Sequence, residues 1–377
     1  MTLTNRSVTI LIALLACVAC GLLPACQGPS PAPGSPHATD TTGIADTMSA
    51  AGITGAADTT RGANATGGAR GTVRLLILDP GHFHAALVQK SMYKDIDPTV
   101  HIYAPAGPDV QSYLDKINAY NNRPKDPTHW VERLYTGPDF VEKMIRDKAG
   151  NTVVLAGNNK EKTNYILESL QAGFHVLGDK PMVIDAAAFG SLRQAFDTAA
   201  ARKRVLYDIM TERYEITSIL QRELAGTSSI FGTLEKGSPG NPAVVGESVH
   251  RWYKYVSGSP LTRPGWFFDV SQQGEGIVDV MTHLVDLVQW ECYPEQSLDY
   301  MKDVKVNNAR HWTTDLTLSQ FRIITKLDSF PDYLKKNVVH DTVLKVYANG
   351  EIDYQLKGVY ARTIATWTYQ EIGRAHV

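Results

Sequence analysis

The chain has 377 residues, of which 43% are hydrophobic and 20% are charged, so it is long enough for two soluble globular domains with sizeable cores. Its formal net charge of -2 gives no basic surface of the kind that nucleic-acid binding requires, which excludes nucleic acid as a partner. Three of its four cysteines lie within the first 26 residues, so a disulfide-stabilised fold is also excluded.

The first 26 residues predict an export signal. Arg6 is followed by an apolar run over residues 8–23, which is shorter than the roughly 20 residues a helix needs to span a bilayer. The ending Leu-Pro-Ala-Cys resembles a bacterial lipobox and would make Cys26 the lipidated first residue, with Cys17 as a rival cleavage point. We therefore expect a lipoprotein on the periplasmic side of a bacterial membrane, in contact with that membrane through its lipid only.

Residues 27–71 are rich in proline, glycine, threonine and alanine and carry almost no large apolar side chains. Such a composition does not bury enough apolar surface to offset the entropy of ordering. We expect a disordered linker between the membrane and the folded part.

Strands and helices alternate over residues 72–208. This order predicts an α/β Rossmann-type domain with a doubly wound parallel sheet. The predicted strands are 73–78, 100–103, 152–156, 174–177 and 205–208, and the predicted helices are 84–94, 140–148, 162–172 and 184–203.

Residues 209–370 predict a second, α+β domain with a largely antiparallel open sheet. Segments 246–253 and 343–348 alternate between apolar and polar residues, as half-exposed antiparallel strands do, and Gly350-Glu351 fits a hairpin turn. Residues 371–377 have no relation to this strand pattern and are interpreted as a non-native tail, which would leave the second domain truncated.

The turn after the first strand, residues 79–84 (DPGHFH), is only a weak nucleotide signal. A dinucleotide turn needs three glycines for close approach to a pyrophosphate, and here only Gly81 is present. The same turn suggests a rival, in which His82 and His84 are a metal pair with Asp79 as the third ligand. Two histidines without fixed further ligands more often hydrogen-bond to backbone, so no metal is expected.

Two downstream segments carry more chemistry. In residues 172–181 (AGFHVLGDKP), Lys180 stands just beyond a buried strand, at the carboxyl edge of the sheet where open α/β folds bind ligands. In residues 274–290, the spacing of Asp279, His283, Asp286 and Trp290 puts all four on one helix face. A carboxylate one turn from an imidazole can orient it as a general base, although an ordinary polar stripe has the same pattern.

Together these segments resemble the Gfo/Idh/MocA oxidoreductases. That family carries A-G-x-H-V-x-x-E-K-P, which the chain matches with Asp179 in place of the glutamate. It also carries G-G-G-x-x-x-D-x-x-x-H-x-x-D, matched here except for Glu275 at the middle glycine. The resemblance covers roughly residues 73 to 320, and the unusual turn indicates a divergent, exported subgroup.

The resemblance implies an NAD(P)-dependent oxidoreductase acting on a sugar, a polyol or a derivative. Lys180 and His283 would handle the hydroxyl proton during hydride transfer, with Asp279 supporting His283 or the substrate. Arg213 would join Lys180 and His283 in binding the substrate. The residues expected at the cofactor, NAD or NADP, are Gly81, His82, Phe83, Asn159, Asp179, Lys180 and Pro181.

Two other functions remain open from the sequence. One is a non-catalytic carbohydrate-binding protein on the same fold, and the other is a metal-dependent hydrolase using His82 and His84. An exported enzyme would find little free nicotinamide, so we expect a tightly bound cofactor that is recycled within one reaction. Relatives associate through the second-domain sheet, so a homo-oligomer is expected as well.

Overall fold

The computed structural model describes residues 73–256 and 259–369. The predicted signal, Cys26, the linker and the tail after residue 370 lie outside the described residues. Within the described part, no helix combines the length and apolarity needed to cross a bilayer.

The first sheet has six parallel strands in the order β3-β2-β1-β4-β5-β6, which confirms the predicted Rossmann-type fold. Alternate residues of β1 face two separate apolar clusters, one on each side of the sheet, which explains the uninterrupted apolar run of Leu75–Leu78. The strands are β1 Leu75–Leu78, β2 Thr99–Tyr103, β3 Val131–Tyr135, β4 Thr152–Leu155, β5 His175–Gly178 and β6 Leu206–Asp208.

Five helices accompany this sheet: α1 His84–Leu87, α2 Pro108–Asn122, α3 Phe140–Asp147, α4 Lys162–Gln171 and α5 Phe189–Arg202. The helix expected over residues 84–94 ends at Leu87, so its length was wrong. The carbonyl of Gln89 accepts a hydrogen bond from the Trp130 indole, and the carbonyl of Lys90 accepts one from Arg123. These side chains bind carbonyls that a longer helix would use internally.

The second sheet is largely antiparallel, as predicted. Its order is β12-β14-β15-β9, with the two-residue β13 paired to β14. The long strands are β9 Val244–Arg251, β12 Val304–Thr317, β14 Val343–Leu356 and β15 Val359–Thr368, and the short ones are β7 Gly237–Ser238, β8 Asn241–Pro242, β10 Tyr255–Val256, β11 Ser259–Pro260 and β13 Val338–Val339.

Two details of this sheet correct the sequence expectations. Strand β9, in the segment expected to be antiparallel, pairs with β15 in parallel, because alternation reports which face is exposed and not strand direction. The expected turn at Gly350-Glu351 is wrong, since both residues lie inside β14. The hairpin turns instead at Lys357-Gly358, where both φ angles are positive, at 50° and 83°.

The motif of residues 274–290 lies mainly on helices α9 (Gly276–Asp279) and α10 (Met281–Cys292). These helices lie against the second sheet, since α9 contacts β14 and α10 contacts β9 and β15. A buried aromatic cluster that includes Trp252, Phe268 and Trp367 holds this part together. The remaining helices are α6 Ile216–Ala225, α7 Ser228–Phe231, α8 Val270–Gln273, α9 Gly276–Asp279, α10 Met281–Cys292, α11 Tyr300–Asp303 and α12 Leu318–Thr325, with 3₁₀ turns at Gly265–Phe268 and Asp332–Asn337.

Candidate active site

The two motif segments meet in the folded chain. Lys180 follows the carboxyl end of β5, and Asp279 ends α9 on the second sheet. The Lys180 Nζ donates to the Asp279 Oδ1 at 2.7 Å across 99 positions of sequence. Both side chains are buried, with residue exposures of 8% and 4%. The pairing places an ammonium at the carboxyl edge of the first sheet, where the sequence predicted a ligand site.

His283 lies one helical turn beyond Asp279 and is also buried. Burial, followed by the charge of Lys180, lowers the pKa of His283 to about 3, although Asp279 opposes the shift. Its Nε2 lies 3.8 Å from the Glu212 Oε1. At neutral pH the imidazole is therefore neutral and can accept a proton.

The buried ion pair keeps both of its partners charged. Burial alone would lower the pKa of Lys180, but the charges of Asp279 and Asp179 outweigh burial and raise it. Burial also opposes ionisation of Asp279, yet the Lys180 charge and hydrogen bond lower the pKa of this carboxyl to about 2. The site thus holds a fixed ammonium beside an imidazole that is neutral at pH 7.

Asp286 and Trp290, the other two residues of the predicted helix face, contact arginine side chains. Arg213 donates to both carboxylate oxygens of Asp286, at 2.8 and 2.5 Å. Arg222 lies over the Trp290 ring at 4.4 Å. The structure therefore brings Asp279 and His283 to the buried site, while Arg213 is bound by Asp286, and its expected substrate role stays a prediction.

The turn after β1 uses its backbone N–H groups for hydrogen bonds within the protein. The N–H groups of Gly81 and His82 both donate to the carbonyl of Ala156, at 3.2 and 3.1 Å. A Cβ at Gly81 would lie 3.0 Å from the Asp109 Oδ2, and that oxygen accepts the Trp266 indole N–H at 2.7 Å. These two amides are thus already used within the fold, unlike those of a glycine-rich pyrophosphate turn.

The imidazoles of this turn reach the end of β5. His82 Nδ1 lies 2.9 Å from one oxygen of Asp179, and His84 Nδ1 lies 3.0 Å from the other. Phe83 packs edge-on against both imidazole rings. Asp79 was the wrong third partner for the histidine pair, because Asp179 is the carboxylate that the two imidazoles share.

Asn159, expected beneath the cofactor, lies where the two sheets meet. Its side-chain amide donates to the Gln273 carbonyl at 2.8 Å and to the Gln273 Oε1 at 3.1 Å. Its own Oδ1 is buried and has no hydrogen-bond partner among the described residues. An unpaired buried acceptor is costly in a folded protein and is the kind of atom that a ligand donor would satisfy.

Three residues near the site were not assigned to it from the sequence. Glu212 approaches His283, and Lys162, which is 1% exposed, donates to the Asp179 main-chain oxygen at 3.2 Å. The third residue is His250, whose pKa burial lowers to about 4. The charge of Asp279 opposes this shift, and the charge of Lys180 adds to it. Trp252, two residues after His250, is buried in the core.

The comparisons with known proteins agree with this architecture. A family model described as "Putative oxidoreductase C terminal domain" matches residues 220–375. The crystal structure of a "putative oxidoreductase" from Parabacteroides merdae is 51% identical, with a TM-score of 0.78, and the alignment covers 80% of this chain and 69% of that one.

Two further relatives are more distant. GenD2 from gentamicin A biosynthesis, solved in complex with NAD, shares the fold at 15% identity and a TM-score of 0.51, over 82% of this chain and 70% of that one. Biliverdin reductase A from Mus musculus is 29% identical over 123 residues, which are 30% of this chain and only 40% of that protein's length.

This fold, together with the matches to putative oxidoreductases, identifies the chain as an oxidoreductase. The chain belongs to the Gfo/Idh/MocA oxidoreductases, which confirms the resemblance seen in the sequence.

Proposed function

We propose that the protein is an NAD(P)-dependent oxidoreductase acting on a hydroxyl or carbonyl of a sugar, a polyol or a derivative. The observation that carries this proposal is the 2.7 Å contact of Lys180 with Asp279, one turn from the neutral His283, at the carboxyl edge of the sheet. Family membership and the NAD complex of the related fold in GenD2 support the cofactor assignment.

The residues present fit the nicotinamide end of such a cofactor. Asn159 offers its unpaired Oδ1 as an acceptor. A bound nicotinamide would supply the hydride to the substrate carbon or take it away. The turn at Gly81 and His82 gives less amide support to a pyrophosphate, because both N–H groups already bind Ala156.

The proton steps are assigned to this chain's own side chains. In the oxidation direction, His283 Nε2 accepts the hydroxyl proton, and Lys180 Nζ donates a hydrogen bond to the oxygen that becomes the carbonyl. Asp279 keeps Lys180 charged and in place. In the reduction direction the same groups act in reverse, so His283 returns the proton to the oxygen.

Nucleotide binding and substrate oxidation are the first tests. We expect the full chain to bind NADH or NADPH with enhanced nicotinamide fluorescence, and to change nicotinamide absorbance with at least one member of a panel of sugars and polyols. His129→Gln, at an exposed imidazole, serves as the matched control for His283→Gln. Absence of binding of either nucleotide at millimolar concentration would reject the proposal.

We also propose that the chain is exported and held at the membrane by a lipid on Cys26. The apolar run before the Leu-Pro-Ala-Cys sequence supports this. Cys26→Ser should move the protein from the membrane fraction to the soluble fraction, whereas Cys17→Ser should leave it at the membrane. The opposite pattern would assign the lipid to Cys17.

A further inference from the structure

Three side chains able to bind a metal ion converge beside the Lys180–Asp279 pair. His82 and His84 come from the turn after β1, Asp179 follows β5, and one donor atom from each lies within 4.8 Å of the others. We propose that these residues form a binding site for a divalent first-row transition ion such as Zn²⁺, Mn²⁺ or Fe²⁺. The proposal is independent of the redox function.

The distances suit coordination as well as hydrogen bonding. The two nitrogen–oxygen separations are 2.9 and 3.0 Å. Two ligands bound at about 2.1 Å and at right angles around one ion are roughly 3 Å apart. An ion could therefore enter with little movement of the three side chains.

The ring tautomers can also suit an ion. The Nδ1 atom of each imidazole faces the Asp179 carboxylate. Transfer of each ring proton from Nδ1 to Nε2 frees the Nδ1 lone pair without changing the charge of the ring. Neutral imidazole and ionised carboxylate are the forms that bind metals.

The two ammonium groups next to Asp179 bind other atoms, so the carboxylate oxygens are left to the imidazoles. Lys162 donates to the main-chain oxygen of Asp179, and Lys180 pairs with Asp279. Among the described residues, the two imidazoles are the hydrogen-bonding side-chain partners of the Asp179 carboxylate, one on each oxygen.

Two histidines and one carboxylate leave coordination positions open. Structural zinc sites use four protein ligands, whereas sites with three keep a position for water or a substrate oxygen. A substrate oxygen bound there would lie next to the site of Lys180, so the ion would belong to the same reaction chamber.

Cobalt(II) titration of the full chain tests this inference. The protein is purified without a polyhistidine tag and stripped with a chelator, and Co²⁺ is added while visible absorption is recorded. We expect one equivalent to bind with the d–d bands of nitrogen and oxygen ligation, and Zn²⁺ to displace it. His82→Ala, His84→Ala and Asp179→Asn should each weaken Co²⁺ binding at least about tenfold, whereas the exposed His129→Ala should not.

The wild-type protein alone can overturn the inference, so it does not depend on how the variants fold. At millimolar Co²⁺, a spectrum identical to that of aqueous Co²⁺ would show that Asp179 and the histidines form a hydrogen-bonded cluster only. Thiolate-to-cobalt absorption would place the ion elsewhere and reject the site. The site would also be rejected if folded variants bound Co²⁺ as tightly as the wild type does. Nucleotide binding is measured in the same samples, so failure of the redox proposal is seen separately.

Discussion

Lys180 and Asp279 form an ion pair that is almost completely removed from water. Burying two charges costs several kcal/mol for each ion, and their mutual attraction offsets this cost only while both are present. Removing one partner leaves the other charge buried and unpaired, so the pair constrains stability and function together.

Lys180→Met should therefore destabilise the protein by about 3–5 kcal/mol, because it leaves the Asp279 carboxylate without its ammonium. The double variant Lys180→Met, Asp279→Asn should recover much of that loss. Denaturant unfolding of both variants and of the control Lys160→Met, at an exposed lysine, measures the effect. Additive losses in the double variant would show that the two groups do not depend on each other.

Asp79 is a second residue whose ionisation affects stability. Burial, followed by the charge of Asp109, raises the pKa of Asp79 to about 6, although the charge of Lys162 opposes the shift. Because the folded-state pKa lies above the unfolded value of 3.8, stability falls as pH rises from about 4 to 6 and stays reduced above it.

Asp79→Asn removes this ionisation, and asparagine tolerates the positive φ of 48° at this position. We expect the variant to melt a few degrees above the wild type at pH 8 and at nearly the same temperature at pH 4. Thermal scans at the two pH values check this. An equal shift at both would mean that charge is not the cause.

At this scale the sequence located some site residues and not others. Lys180, Asp279 and His283 lie in motifs whose spacing predicted them. Glu212 comes from a connecting segment and Asp109 from the first turn of α2, and no sequence pattern marks either of them as a site residue. Asp179 was expected near the cofactor, yet its contacts with the two histidines depend on how the turn after β1 folds back.

Among the elements, α9 has the tightest placement. It begins at Gly276, where a Cβ would lie only 1.6 Å from the Ala348 carbonyl oxygen in β14. This close approach fixes Asp279 at the other end of α9, within reach of Lys180. The glycine therefore positions the site without touching it.

Gly276→Ala should force α9 away from β14, with a loss of about 1–3 kcal/mol in unfolding free energy and weaker turnover. Gly190→Ala is the matched control, since Gly190 lies in the first turn of α5 and a Cβ there meets nothing within 4 Å. Unfolding experiments and activity assays on both variants separate local crowding from the general effect of adding a methyl group. Equal behaviour of the two variants would contradict this role for Gly276.

The buried elements were the easiest to predict from sequence. Strands β1 and β4 are uninterrupted apolar runs because both faces are covered, and such runs are distinctive. Helix α2 and strand β3 were missed. β3 is an edge strand with a mostly exposed pattern, so it gives no apolar run. Helix α2 buries Val110, Tyr113 and Ile117, whose spacing of three and four residues is a helical period that the sequence does contain.

In the whole molecule, the site exists because helices and turns next to the second sheet contact the carboxyl edge of the first sheet. The Trp266 indole donates a hydrogen bond to Asp109. Asn158 donates to Gln272, and Asn159 donates to Gln273, so the two parts of the chain are joined by side-chain hydrogen bonds. Periodicity within each stretch predicts its own sheet. It carries no information on how the sheets face each other, which is why the family motifs, and not the elements, predicted that Lys180 and His283 share a site.

The central claim is that Lys180 and His283 handle the substrate proton during hydride transfer. Single-turnover kinetics on the full chain with NADH or NADPH already bound, and a substrate identified from the sugar and polyol panel, test it most directly. The account predicts that Lys180→Met and His283→Gln retain nucleotide binding but react about 10²–10⁴-fold more slowly than the wild type. Single-turnover rates equal to those of the wild type and of His129→Gln would contradict it.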